Sequence, residues 1–185
     1  MVKQVLREAE DKMKRAVEAF RRELAGLRAG RATPALLDRV LVDYYGNPTP
    51  VNQVGTVTVP EPRLLVIQPW DKSMIGAISK AIMKSDIGMT PVADSNVIRL
   101  VVPQLTKERR AELVKGVRKK AEEERVGIRN IRREAIQELK ALEKAGEISE
   151  DDSRRGQDEV QKVHDRYMKE IDHVVEAKEK EIMEV

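Results

Sequence analysis

There is no cysteine in this 185-residue chain, and it has only two histidines, one phenylalanine, one tryptophan and three tyrosines. Without thiols, disulfides and thiolate metal sites are excluded, and a reducing compartment is compatible. His164 and His173 lie nine residues apart on one helical stretch, which does not place both on one face for a shared metal. They read as solvated or seam-flanking side chains. An aromatic share of 3% argues against a large aromatic-rich core. No segment approaches the ~20 apolar residues of a membrane span, and residues 1–30 contain no apolar core ending in a small-residue cleavage site. The expectation is a soluble, cytoplasmic protein without membrane contact.

Excess charge and catalytic motifs are missing too. Lys and Arg number 35 against 32 Asp and Glu, a net charge of +3. Any nucleic-acid surface must therefore come from local segregation of charge. There is no phosphate-binding loop, dinucleotide fingerprint or nucleophile elbow. The acidic runs Glu122-Glu123-Glu124 and Glu150-Asp151-Asp152 fall on surface helical positions. Neither a catalytic residue nor a metal site nor a cofactor is expected, and the chain does not read as an enzyme.

What is present is an interruption. Residues 2–29 and 106–184 are written in helical code, and residues 33–102 in strand code. All eight prolines fall between residues 34 and 103, together with Trp70 and the pair Tyr44–Tyr45. In the first helical segment Leu6, Ala9, Met13, Val17, Phe20, Leu24 and Leu27 recur by steps of three and four, one apolar seam ending at a capping Gly30. A second helix starts at Thr106 and carries Val114, Val117, Ala121, Ile128, Ile131, Ala135, Leu139 and Leu142 to Gly146. A third opens at Ser149, with Val160, Val163, Tyr167, Ile171, Val174 and Ile182 as its seam. The short connection at 146–148 makes these two antiparallel, and the first helix completes a three-helix bundle. In the middle, Arg39–Tyr44 and Gln53–Val59 alternate as strands around a Gly46-Asn47-Pro48 turn, with one of the two tyrosines facing inward. Leu64–Ile67 and Val97–Val102 add two more strands, and Asp71 caps a helix carrying Met74, Ile78 and Ile82. The fold class is α+β, with a small α/β domain inserted at 31–104 into an elongated bundle of 1–30 and 105–185. Two crossings, 29–32 and 102–106, make a hinge whose residues are Gly30, Arg31, Pro103, Gln104 and Leu105.

The arginines carry the functional pattern. Arg118, Arg125, Arg129 and Arg132 follow steps of seven, four and three, one narrow stripe at 100° per residue, with Arg133 beside it. Glu123 and Glu134 point away from it, and only Glu122 is close. On the first helix Lys14, Arg21 and Arg28 repeat every seven residues, and Arg31 follows. Guanidinium suits RNA backbone through its planar fork, its permanent charge and its stacking face. An exposed face laced with Glu–Arg pairs would give the same pattern.

Four stretches carry a resemblance: Leu27-Arg28-Ala29-Gly30-Arg31-Ala32-Thr33-Pro34, Val42-Asp43-Tyr44-Tyr45-Gly46, Pro103-Gln104-Leu105-Thr106-Lys107-Glu108-Arg109-Arg110 and Ile128-Arg129-Asn130-Ile131-Arg132-Arg133-Glu134. In order and spacing, over the whole chain, they resemble the bacterial ribosome recycling factor family. The chain departs from that pattern at Ala29 and Gln104, where threonine and proline are common. The resemblance implies a three-helix bundle and an inserted α/β domain joined by two crossing strands in an L. It implies binding to the ribosome after termination and, with elongation factor G and GTP, splitting of the subunits with release of messenger RNA and tRNA. It also implies a contact with large-subunit ribosomal RNA through Arg28, Gly30, Arg31, Arg129 and Arg132, with Asn130 and Arg133 beside them, and a monomer off the ribosome. Two other classes stay open: a ribosome-bound hibernation or stress factor, and a helical protein-binding adaptor without RNA contact. Salt-sensitive binding to naked large-subunit RNA separates the adaptor, and a subunit-splitting assay separates hibernation.

Overall fold

The computed structural model describes residues 1–27 and 30–184, and the chain divides into two compact units. One comprises Met1–Leu24 and Val114–Lys180; the other comprises Ala25–Leu113 and the residues from Glu181 onward. Their edges differ from the sequence boundary at residues 30 and 105, because the first turns of the second long helix belong to the second unit.

The first unit is built on α1 (Val2–Ala25), α3 (Lys107–Lys144) and α4 (Glu150–Met183), with α2 (Ile75–Lys84) in the other unit. At 1.5 Å per residue α3 is roughly 57 Å long, and a helix of that length needs lengthwise partners. Thr106 caps it, its Oγ1 accepting from the Arg109 N–H at 3.1 Å. It stops at Gly146, whose φ of 75° suits a residue without Cβ, and Glu147 N–H donates back to Leu142 O at 3.0 Å. Ser149 Oγ then accepts from the Asp152 N–H at 3.0 Å and opens α4.

The partners read off the direction of the helices. Arg118 meets Glu179, Arg125 meets Asp172 and Arg132 meets Gln161, so residue numbers fall on α4 as they rise on α3. These two helices are antiparallel. One apolar cluster joins all three helices through Val5, Ala9, Ala135, Leu139 and Val160. Gly156 lets them approach closely: a Cβ there would lie 3.0 Å from Leu139 Cδ1 and 3.1 Å from Val2 Cγ1. Two seams follow the sequence expectation except at their first position. Val5 and Leu113 are buried, while Leu6 and Val114 are half-buried. The first helix also ends at Ala25, short of the expected 29. Leu27 is already outside it, and Gly30 follows with φ 82°.

The second unit holds two antiparallel sheets. β1 (Leu41–Tyr44) pairs with β2 (Asn47–Pro50) as a hairpin. The other sheet has four strands, β3 (Gly55–Glu61), β4 (Leu64–Pro69), β5 (Pro91–Ala93) and β6 (Ile98–Val101), in the order β3-β4-β6-β5. Leu65 faces Leu100 and Ile67 faces Ile98 across β4 and β6, all four buried. They pack with Val42 of β1 and with Ile78 and Ile82 of α2. Asp71 Oδ1 accepts from the Ser73 N–H at 3.0 Å and starts the turn that leads into α2.

Three expectations for this unit are corrected. The segment Gly46-Asn47-Pro48 is not one turn: Tyr45 and Gly46 turn, and Asn47–Pro50 is a strand. Its prolines are tolerated because this two-stranded ribbon leaves one side of the strand unpaired. Tyr44 and Tyr45 do not alternate in and out. Both are exposed, at 39% and 76%, because Tyr45 leaves the strand at φ 49° and Gly46 follows at φ 86°, the left-handed pair of a tight hairpin. The third strand begins at Gly55, not Gln53, since Val51–Gln53 forms a 3-10 turn.

Candidate nucleic-acid interface

The residues expected to meet RNA fall on both units. Arg129, Asn130, Arg132 and Arg133 lie on α3 within the helical unit. Gly30 and Arg31 belong to the other unit, and Arg28 and Ala29 lie outside the described residues. Gly30 is buried, and the Arg31 guanidinium is 3.5 Å from the Glu184 carboxylate. Of the expected hinge residues, Pro103 and Gln104 are exposed and Leu105 is buried.

The α3 arginines are not equivalent. Arg118 grips Glu179 with Nε at 2.6 Å and Nη2 at 3.4 Å, one on each carboxylate oxygen. Arg125 donates to Asp172 at 2.8 Å and lies 3.5 Å from Glu122. Arg129 donates to that same Glu122 at 3.0 Å. Farther along the stripe the partners become neutral. Arg132 Nη1 is 3.4 Å from Gln161 Oε1, and Arg133 Nη1 is 3.4 Å from Asn130 Oδ1. At 3.4 Å these are weak bonds to uncharged acceptors, so each guanidinium keeps spare donors. Hydrogen bonding to Glu179, then its charge, raises the Arg118 pKa; hydrogen bonding to Arg129 lowers that of Glu122.

Behind Arg132 lies a polar network that the sequence does not announce. Gln161 Nε2 donates to Asp165 Oδ1 at 2.9 Å, and His164 Nδ1 sits 2.9 Å from the same oxygen. His164 is buried, so its ring is held inside the bundle, while His173 is exposed. The contacts to His164 and Gln161 lower the Asp165 pKa, and the nearby Arg132 charge adds to that. Among the described residues no group of three or more His, Asp or Glu side chains is placed to hold a metal ion. Among the described residues no helix is long and apolar enough to cross a membrane.

Within the second unit one turn ties together two segments distant in sequence. Ala32 N–H donates to Pro62 O at 2.8 Å, and Val102 N–H donates to Arg63 O at 2.8 Å. The Arg63 side chain closes the loop, Nε donating to Val102 O at 3.0 Å. The β3–β4 turn thus holds the segments at Ala32 and Val102. Sequence reasoning missed Arg63, because an isolated arginine after a proline carries no local signal for a partner 39 residues away.

Three long helices, a sheet unit formed by the chain between the first two of them, and a row of arginines along α3 define the class of protein. Comparison with known proteins gives that class its family. Residues 20–183 match the family model described as Ribosome recycling factor. The chain is 60% identical to the ribosome-recycling factors of Syntrophomonas wolfei subsp. wolfei and of Desulforamulus reducens, and 57% identical to that of Bacillus pumilus, with 100% of each chain covered in every pair. Among solved structures, a solution structure of the ribosome recycling factor is similar at TM-score 0.83 and 46% identity, covering 100% of this chain and 98% of the other. A Thermus thermophilus recycling factor, described with Escherichia coli elongation factor G on a post-termination complex, is similar at TM-score 0.71 and 46% identity, with 99% of each chain covered. The chain belongs to the ribosome recycling factor family, whose members are non-enzymatic translation factors. Ribosome recycling is its function.

Proposed function

We propose that this protein binds the post-termination ribosome through the arginine face of α3 and, with elongation factor G and GTP, splits it into subunits, releasing messenger RNA and tRNA. The observation that carries the reading is the row of guanidiniums on α3 ending in Arg132 and Arg133, whose acceptors are neutral amides. In this reading the energy is supplied by the GTPase. Arg28, Gly30, Arg31, Arg129, Asn130, Arg132 and Arg133 form the large-subunit RNA contact in this reading. Residues 1–30 and 105–185 are the ribosome-holding part, and 31–104 the lever moved by the GTPase. The turn at Pro62–Arg63 fastens Ala32 and Val102, so the flexing residues are Gly30, Arg31 and Pro103–Leu105, outside that fastening. In solution the protein works as a monomer in the cytoplasm.

The experiment is a subunit-splitting assay on post-termination complexes with elongation factor G and GTP. Splitting that needs all three components supports the reading. Tight ribosome binding without splitting, under conditions where a second recycling factor splits, would turn it into a hibernation factor. The lever is tested separately by a disulfide engineered between the two parts. The oxidised protein should bind ribosomes but not split them, and reduction should restore splitting. Full splitting by the locked protein would remove the lever while leaving the recycling reaction intact.

A further inference from the structure

The contrast between carboxylate-held and amide-held arginines has a functional meaning. Three carboxylates, Glu122, Asp172 and Glu179, pair with Arg118, Arg125 and Arg129. Glu179 takes the Arg118 fork on both oxygens, as a bidentate phosphate would. Arg118, Arg125, Asp172 and Glu179 line one open groove of about 370 Å³ between α3 and α4. We propose that Glu122, Asp172 and Glu179 are specificity-determining residues of the RNA face, occupying the phosphate seats of three arginines so that loose RNA is refused.

The mechanism is competition. A flexible single strand meeting this face must displace carboxylates one at a time, and each displacement exchanges one ion pair for another with little net gain. A rigid RNA surface differs. It engages Arg132 and Arg133 without displacing a carboxylate, so it makes fewer displacements than a strand that tracks the whole row. The carboxylates therefore penalise weak polyanions more than a structured target. The inference rests on the reading that the α3 arginines contact RNA.

The test is the triple variant Glu122→Gln, Asp172→Asn, Glu179→Gln, isosteric at all three positions. Its affinity for a uridine oligonucleotide and for large ribosomal subunits is measured at several salt concentrations. Oligonucleotide binding should tighten by about tenfold, and subunit binding by less than about threefold, so that discrimination falls. The oligonucleotide salt dependence should steepen as three freed arginines release counterions. A control with the same change in net charge is Glu8→Gln, Glu134→Gln, Glu138→Gln, around a separate cleft between α1 and α3. It should tighten both ligands slightly and equally. Equal discrimination by the parent and by the first triple variant would overturn the proposal, as would the same loss in both variants. If the triple variant loses helical signal, Glu179→Gln alone is read in the same ratio. Arg132→Ala keeps the two ideas apart. Unchanged subunit binding in that variant rejects the RNA reading itself; weakened binding alongside unchanged discrimination rejects only the carboxylate role.

Discussion

The two units of this chain are stabilised in different ways. The helical unit hides a thin apolar seam under a highly charged surface, and its helices are tied across by ion pairs such as Lys120 with Glu23, Arg166 with Glu10 and Arg125 with Asp172. Most of these pairs are exposed and add little individually, so burial of Met13, Phe20, Ile128, Leu139 and Ile171 holds the bundle. The sheet unit is shorter in every element and depends on a compact centre of Leu65, Ile67, Ile78, Ile98 and Leu100, pinned by turns. The lesson is that charge is free to serve binding on the bundle because it is not needed for folding there. The sheet unit differs in exposing large aromatic side chains among its polar ones, Trp70 at 69% and Tyr45 at 76%.

The largest expected effect comes from removing one unit altogether. Replacing residues 32–103 by a short flexible linker should leave a cooperative helical unit that still binds ribosomes and no longer splits them. Circular dichroism, a binding assay and the splitting assay check the three parts. Loss of helix in that protein would mean the units share one core, and the comparison would collapse.

Core truncations come next. Leu139 and Leu65 are both fully buried, one in each unit. Leu139→Ala and Leu65→Ala should each cost about 2–5 kcal/mol, with the upper part of the range where the neighbours cannot collapse. If the units are independent, the first lowers helical stability alone and the second lowers the unfolding transition reported by Trp70 fluorescence. A single shared transition moved by both variants would contradict independence.

How much of this was legible beforehand depends on range. The bundle seams follow from local periodicity, and errors there are small. Val5 replaces Leu6 because the packing angle selects one of two adjacent apolar residues, which spacing alone does not do. β2 was missed because Asn47-Pro48-Thr49-Pro50 has the composition of a turn; only its pairing with β1 makes it a strand. β5 is three residues long and has no period to detect. At the candidate site, the 100° arithmetic placed the α3 arginines on one stripe. It could not supply Asp172, Glu179 or Gln161, which arrive from α4 and fix what each arginine touches.

The third prediction sharpens the claim that bundle charge serves binding. Arg132 is half-buried but off the seam, and its acceptor is a neutral amide. Arg132→Ala should therefore leave helical content unchanged and weaken ribosome binding by about 1–3 kcal/mol, with a shallower salt dependence. Parent-like binding across several salt concentrations would make the stripe a solvated face only.

The smallest effect is a pH dependence confined to the sheet unit. Asp94 sits in the turn between β5 and β6. Its Oδ1 accepts from the Asn96 N–H at 2.7 Å and the Val97 N–H at 2.9 Å, and Arg99 donates to Oδ2 at 2.6 Å. The Asn96 backbone bond is the largest cause, then the Arg99 bond, and together they lower its pKa from 3.8 to about 2. A carboxylate depressed in the folded state binds fewer protons there than in the unfolded chain. Its stabilisation is thus complete above the unfolded value of 3.8 and fades as pH falls toward about 2. The group is exposed, so the contribution is modest and screened by salt. Asp94→Asn should remove that part of the acid limb. Between pH 4 and pH 2 the sheet unit of the variant should lose less stability than that of the parent, while the helical unit behaves alike in both. Denaturant titrations followed by Trp70 fluorescence and by helical circular dichroism separate the two signals. A parallel acid limb in parent and variant would show that the turn is held by its backbone alone.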